Sequence, residues 1–251
     1  MPSVSELAGK SVFITGGARR LGQAIALDMA DAGARVAFTY LNSVEQAKQT
    51  LAEIKHRGAQ GLSISCDIRE EESVIKAVQT ALDALGGMDL LVNNAGLYTT
   101  TRLEEITVEQ WDNIFATNVR GPFLVSKHSI PALRRASGRI INLGSLGGEK
   151  PWATHAHYCS SKAALHMLTR VMAKALAPEI AVNCVAPGMI DIMADPGVAK
   201  RNAEFLDRMA AKTPMRRNGV ADDVVSAVMY LATASRFITG QILTVDGGLG
   251  L

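Results

Sequence analysis

The sequence predicts a single domain over residues 1–251, an α/β sandwich doubly wound around a seven-stranded parallel sheet. Three observations carry this. From Ser11 onward, short β-branched apolar runs alternate with longer stretches of helical period, as successive βαβ units do. A glycine-rich turn at Gly16-Gly17 follows the first run. No linker-like or low-complexity segment breaks the alternation, and a chain of this length fits one undivided α/β domain.

The first strand is expected at Ser11–Thr15, followed by a helix on which Leu21, Ile25 and Met29 recur at every fourth position and so share one face. Arg35–Tyr40 closes the first βαβ unit. Gly61–Ser65, Asp89–Asn93, Arg139–Leu143, Ile180–Ala186 and Gln241–Val245 supply the other strands, with helical segments between them. Two of those are long, from Val108 to Arg135 and from His157 to Ala177, and neither sustains heptads. Pro187 to about Pro214 reads as irregular, with Pro196 and Gly197 inside it. It exceeds most connections in a compact domain, so a substrate lid is expected at about 188–214.

The chain is 48% hydrophobic with a formal net charge of +2, apolar enough for a packed core and too nearly neutral for a nucleic-acid surface. Cys66, Cys159 and Cys184 are an odd number without a C-x-x-C pair, which speaks against a disulfide framework or a zinc knuckle. A reducing cytoplasm fits best. Met1 to Lys10 lacks a basic n-region and an apolar h-region, and no stretch reaches the roughly 18 apolar residues of a membrane span. No membrane partner is expected.

The turn Thr15-Gly16-Gly17-Ala18-Arg19-Arg20-Leu21-Gly22 lies between the first strand and its helix, where backbone N–H groups and a helix N-terminus can receive a pyrophosphate. It is not a phosphoryl-transfer loop, because Gln23 and Ala24 stand where that chemistry needs Lys and Ser/Thr. At the end of the second strand, a dinucleotide site that prefers NAD offers a carboxylate to the ribose 2′-hydroxyl. Here the chain reads Phe38-Thr39-Tyr40-Leu41-Asn42-Ser43. A 2′-phosphate would meet no repulsion there, and Arg19, Asn42 and Ser43 could bind it, which favours NADP(H). Ser43 also begins a good capping box, Ser43-Val44-Glu45-Gln46, so capping and phosphate contact both stay open.

Tyr158 and Lys162 are four apart in a helical stretch and share one face. A free phenol has a pKa of about 10, and a neighbouring ammonium favours its phenolate. Taken alone, such a pair is more often a core aromatic and a solvated charge.

In context, the glycine-rich loop, Asn93-Asn94-Ala95-Gly96, Ser145, Tyr158 with Lys162, Pro187-Gly188 and Val245-Asp246-Gly247-Gly248 resemble the short-chain dehydrogenases/reductases over nearly the whole chain. The resemblance implies a Rossmann-type fold, NADP(H) as cofactor and hydride transfer between nicotinamide and a carbonyl or alcohol. It implies Tyr158 as general acid/base, Lys162 lowering its pKa and holding the nicotinamide ribose, Ser145 orienting the carbonyl, and Asn118 relaying protons through water. Gly16, Arg19, Arg20 and Leu21 would meet the cofactor phosphates, Asp67 and Ile68 the adenine, and Asn93, Asn94, Ala95 and Gly96 the riboses. Pro187, Gly188 and Ile190 would support the carboxamide. Family members pair their long helices across subunits, which implies a homotetramer or a homodimer.

A serine-hydrolase reading of Ser145 fails, since Leu143 stands where the nucleophile elbow needs glycine. His56, His128, His155, His157 and His166 lack zincin spacing, and no metal is expected. His155 and His157 precede Tyr158 and could face the substrate or make ordinary polar contacts. In overall pattern the chain resembles 3-oxoacyl-carrier-protein reductases. Gly17-Ala18-Arg19-Arg20-Leu21-Gly22 instead resembles the loop of pteridine reductases, with arginine at Arg20 where most of the family has glycine. Those enzymes commonly carry aspartate at the position of Ser145, and Ile192 replaces a common threonine. Pteridine reduction is therefore the alternative. From another class, a catalytically silent NADP sensor would keep the fold, but it has no need of Ser145, Tyr158, Lys162 and Asn118 together.

Overall fold

The computed structural model describes residues 7–192 and 196–251. Strands β1 (Ser11–Ile14), β2 (Arg35–Tyr40), β3 (Gly61–Ser65), β4 (Leu90–Asn93), β5 (Arg139–Leu143), β6 (Ala181–Pro187) and β7 (Ile242–Val245) form one sheet. All neighbours are parallel, in the order β3-β2-β1-β4-β5-β6-β7. The connecting helices are α1 (Arg20–Asp31), α2 (Val44–His56), α3 (Glu71–Leu85), α4 (Val108–Phe115), α5 (Gly121–Ala136), α6 (Ala156–Leu176), α7 (Pro196–Lys212) and α8 (Ala221–Thr233).

Side chains alternate across the sheet with period two, and each face has its own core. On one, Val12, Ile14, Val36, Phe38 and Val185 pack with Ile25 and Met29 of α1, Ile54 of α2 and Val228 of α8. On the other, Phe13, Ala37, Leu91, Ile140 and Val182 pack with Leu85 of α3, Leu133 of α5 and Leu176 of α6. The expected period of α1 holds: Ile25 and Met29 are buried, and Leu21 is half-buried against the same core.

Two expectations change. The long helix expected from Val108 to Arg135 is broken by a π-helical turn, Ala116–Arg120, a feature found disproportionately at functional sites. The region read as an irregular lid contains α7. Pro196 is its first helical residue, where the missing N–H costs nothing, so Pro196-Gly197 marks a helix start. Residues 193–195 of the expected lid lie outside the described residues. On the near side, Ile190 bridges to Gly219, and Asp191 N–H donates to Gly219 C=O at 2.7 Å.

Strand order reverses between β1 and β4, because the chain builds β2 and β3 on one side and β5 to β7 on the other. The carboxyl ends of β1 and β4 therefore open a crevice at the switch point, where ligands of such sheets bind.

Candidate active site

Two loops meet at this crevice. Gly16, at φ +68°, turns the chain after β1; its N–H donates to the Thr39 hydroxyl at 3.1 Å, and Gly17 N–H to Thr39 C=O at 3.0 Å. Asn94, just after β4, donates from Nδ2 to the carbonyls of Thr15 (2.9 Å) and Gly16 (3.0 Å). Ala95 N–H donates to the Thr15 hydroxyl at 3.0 Å. Gly22 closes the loop against α1, where a Cβ would sit 2.1 Å from Gly16 O. Gln23 N–H bonds to Arg19 C=O, so the N–H groups ahead of it at the helix end have no intrahelical partner. Arg19 and Arg20 are exposed beside them and line a cavity of about 560 Å³ with Gln23, Asp191 and Ile192. Arg20 has φ +54°, a left-handed conformation that costs a residue with a Cβ about 1–2 kcal/mol.

The second cluster lies at the carboxyl ends of β4 and β5. Tyr158 and Lys162 sit in the first two turns of α6, both buried on the same face, with Lys162 Nζ 5.9 Å from the Tyr158 ring centroid. Nζ donates to Leu143 C=O at 2.7 Å. The Ser145 hydroxyl lies beside the Tyr158 phenol and accepts from Gly147 N–H at 3.1 Å. Asn118, carried by the π-turn, accepts from Leu97 N–H at 2.7 Å and donates to Leu97 C=O and to the Ser161 hydroxyl. A Cβ on Gly96 would lie in ordinary contact, 3.4 Å from Asn118 Oδ1 and 3.6 Å from Lys162 Nζ, so the backbone of Gly96 lies directly beside both atoms.

Burial decides the electrostatics. It pushes the Tyr158 phenol up to about 12, with Ser145 pulling the other way, and the Lys162 ammonium down to about 8. The expected lowering of the phenol by Lys162 does not occur in this state, because Nζ is spent on Leu143 and its charge does not offset the phenol's desolvation. Behind them His166 is buried, its Nε2 accepting weakly from Ser145 N–H at 3.4 Å. Burial, then Lys162 and Arg170, push it down to about 4.

The family model described as enoyl-(acyl carrier protein) reductase matches residues 16–250. A short chain dehydrogenase, mdpC of Emericella nidulans, is 35% identical over 96% of each chain. The 3-oxoacyl-[acyl-carrier-protein] reductase FabG of Staphylococcus epidermidis is 34% identical over 96% of this chain and 98% of its own. The chain belongs to the short-chain dehydrogenase/reductase family. Its structure is also similar to that of a blue fluorescent protein from a metagenomic library in complex with NADPH, with a TM-score of 0.90 and 34% identity over 98% of this chain and all of that one.

As a short-chain dehydrogenase/reductase it places most of the expected residues at the crevice, with local differences. Asn93 is not in the lining: it is buried, donating to Ser126 and Asn142. The Asp67 carboxylate is engaged by Arg69 from its backbone N–H and its guanidinium, which holds its pKa down. Ile68 buries its side chain in the core. Asn42 and Ser43 follow β2 beside the loop, and Ser43 makes no side-chain capping bond. Pro187 ends β6, Gly188 N–H donates to Val245 C=O at 2.9 Å, and Ile190 packs against the core. Among the described residues no group of three His, Cys, Asp or Glu could hold a metal, and no helix is long and apolar enough to cross a membrane.

Sequence reasoning missed two aromatic rings. Tyr98 meets Tyr158 edge-on at 4.9 Å, and Trp152 lies nearly parallel to it at 6.2 Å. Their only signal was position, two residues past Gly96 and six before Tyr158. His155 stacks on Tyr98, whereas His157 is buried with Nε2 on the Thr99 hydroxyl.

Proposed function

We propose that the chain is an NADP(H)-dependent carbonyl reductase that transfers a hydride to a ketone of the 3-oxoacyl-thioester type, or removes it from the alcohol. The carrying observation is the convergence of Tyr158, Ser145 and Lys162, all buried, at the carboxyl ends of β4 and β5, beside the loop after β4. NADP(H) suits the glycine cradle, the open α1 N-terminus, the exposed Arg19 and a β2 terminus without a carboxylate. The NADPH complex of a similar structure supports the same choice.

Gly16, Arg20 and Leu21 would hold the pyrophosphate, Arg19, Asn42 and Ser43 the 2′-phosphate, and Asp67 and Ile68 the adenine. Asn94, Ala95 and Gly96 would border the riboses, and Pro187, Gly188 and Ile190 the nicotinamide. Bound NADPH supplies the hydride. Ser145 Oγ already accepts from Gly147 N–H, so its own hydrogen is available to orient the substrate oxygen. Tyr158 Oη gives that oxygen its proton. Lys162 Nζ holds the ribose, and Asn118 Oδ1, which keeps one lone pair, faces the same space over Gly96 and links Lys162 to solvent water.

Dihydropterin reduction is the second reading, favoured by Arg20 in the lining of the 560 Å³ cavity. A homotetramer or homodimer is proposed from the exposed apolar side chains Trp111, Phe123, Met167 and Val171 on α4, α5 and α6; a monomer by sedimentation would contradict it. The functional test follows NADPH absorbance with an acetoacetyl thioester and a dihydropterin side by side. Thioester turnover is expected. Pterin turnover alone would make Arg20 a substrate ligand, and turnover of neither would end the reductase reading.

A further inference from the structure

Three flat side chains stand beside Tyr158 in the site just proposed. Tyr98 is 56% exposed although it lies 4.9 Å from a buried phenol. His155 stacks on it at 5.0 Å, with the rings 27° apart, yet more than half of the side chain stays open to a ligand. Trp152 meets both Tyr158 and His155. It comes this close because residue 147 is glycine: a Cβ there would lie 3.2 Å from Trp152 Cζ3 and 3.3 Å from Tyr158 Cε1.

The wall is rigid and uncharged. His155 Nε2 is 2.7 Å from the Tyr98 hydroxyl and 3.0 Å from that of Thr100, while Nδ1 is 3.0 Å from that of Thr154. These bonds fix the imidazole on both nitrogens. Thr101 N–H donates to Thr154 C=O at 3.0 Å, tying together the two segments that carry the rings. Burial and then His157 lower the His155 pKa, which keeps the ring neutral near pH 7. A flexible alkyl chain gains nothing from such fixed planarity, and a charged substituent finds no partner on it. A planar ring gains offset or edge-on aromatic contact without ordering any protein group.

We propose that Tyr98 and Trp152 are specificity-determining residues, and that the reducible carbonyl of the substrate carries an aromatic or otherwise planar conjugated ring. This rests on the carbonyl-reductase reading and names the substrate class of that site.

Two 3-oxopropanoyl thioesters that differ only at C3, phenyl in one and cyclohexyl in the other, match in non-hydrogen atoms and differ in flatness. The quantity measured is the ratio of their kcat/KM values with NADPH in the native protein, in Tyr98→Leu and in Trp152→Leu. Taking the ratio in each protein cancels the intrinsic reactivity of the two ketones and any general loss of activity. The phenyl-to-cyclohexyl ratio is expected to fall about tenfold in each variant, which is about 1.4 kcal/mol of transition-state binding. An unchanged or raised ratio in both overturns the proposal. So does turnover of acetoacetyl thioester without turnover of either ring-bearing ketone, an outcome that leaves the reductase reading intact. If no ketone of any kind consumes NADPH, both fall.

Discussion

Tyr158 has to be protonated to act as an acid, and burial ensures that it is: with its phenol up at about 12, it holds its proton throughout the usual assay range. Tyr158→Phe removes that proton and should lower kcat for ketone reduction by roughly 10²- to 10⁴-fold while NADPH still binds. Retained turnover would transfer the role to another group. Lys162 sets the alkaline limit. Its ammonium, pushed down to about 8, is charged below that pH and neutral above it. The reductive kcat/KM should therefore be level from pH 6 to 7.5 and fall through about 8; a profile level to pH 9.5 would exclude Lys162 from the reaction. At this scale the family resemblance singled out Tyr158, Lys162 and Ser145, and the structure buries all three side chains. The sequence was silent on Tyr98 and Trp152, whose meaning comes from a ring contributed by another segment. The Tyr158 shift was also illegible, because the balance between desolvation and charge depends on where Nζ points.

Elements were legible where the hydrophobic period was clean. β2, β3 and β5 begin and end where the strand–helix alternation places them, and the interior strands β2 and β5 are buried along most of their length, as central parallel strands are. α7 was hidden by Pro196-Gly197, a pair that reads as a turn unless proline is the first helical residue. The π-turn under Asn118 has no marker in the sequence, since one extra residue per turn changes no side-chain pattern strongly. The junction of β1, its loop and α1 depends on a single absent side chain. Gly22→Ala would put a methyl 2.1 Å from Gly16 O and 2.5 Å from Asn94 Nδ2. Overpacking of this kind costs about 1–3 kcal/mol, so the melting temperature should drop by about 3–10 °C and NADPH affinity should weaken with it. A variant as stable and as tight as the native protein would show that the loop has slack.

Over the whole molecule, two cores on one sheet make the switch-point crevice rigid, and the fold class followed from the strand–helix alternation alone. The crevice carries a stability cost at low pH. His166 is held neutral, its pKa depressed from the ordinary 6.5 to about 4, so between those values the unfolded chain binds the extra proton. Stability should be fully present above about pH 6.5 and decline by up to about 3 kcal/mol as pH falls through 4. In denaturant titrations His166→Gln should flatten that decline, and an unchanged slope would exclude His166 as its source. Whole-molecule function turns on the nucleotide, and the most direct measurement is a fluorescence titration of the purified protein with NADPH and NADH. NADPH should bind at least about tenfold more tightly, as an Arg19-bound 2′-phosphate requires; equal or preferred binding of NADH would contradict the NADP(H) assignment, and binding of neither would contradict the oxidoreductase itself.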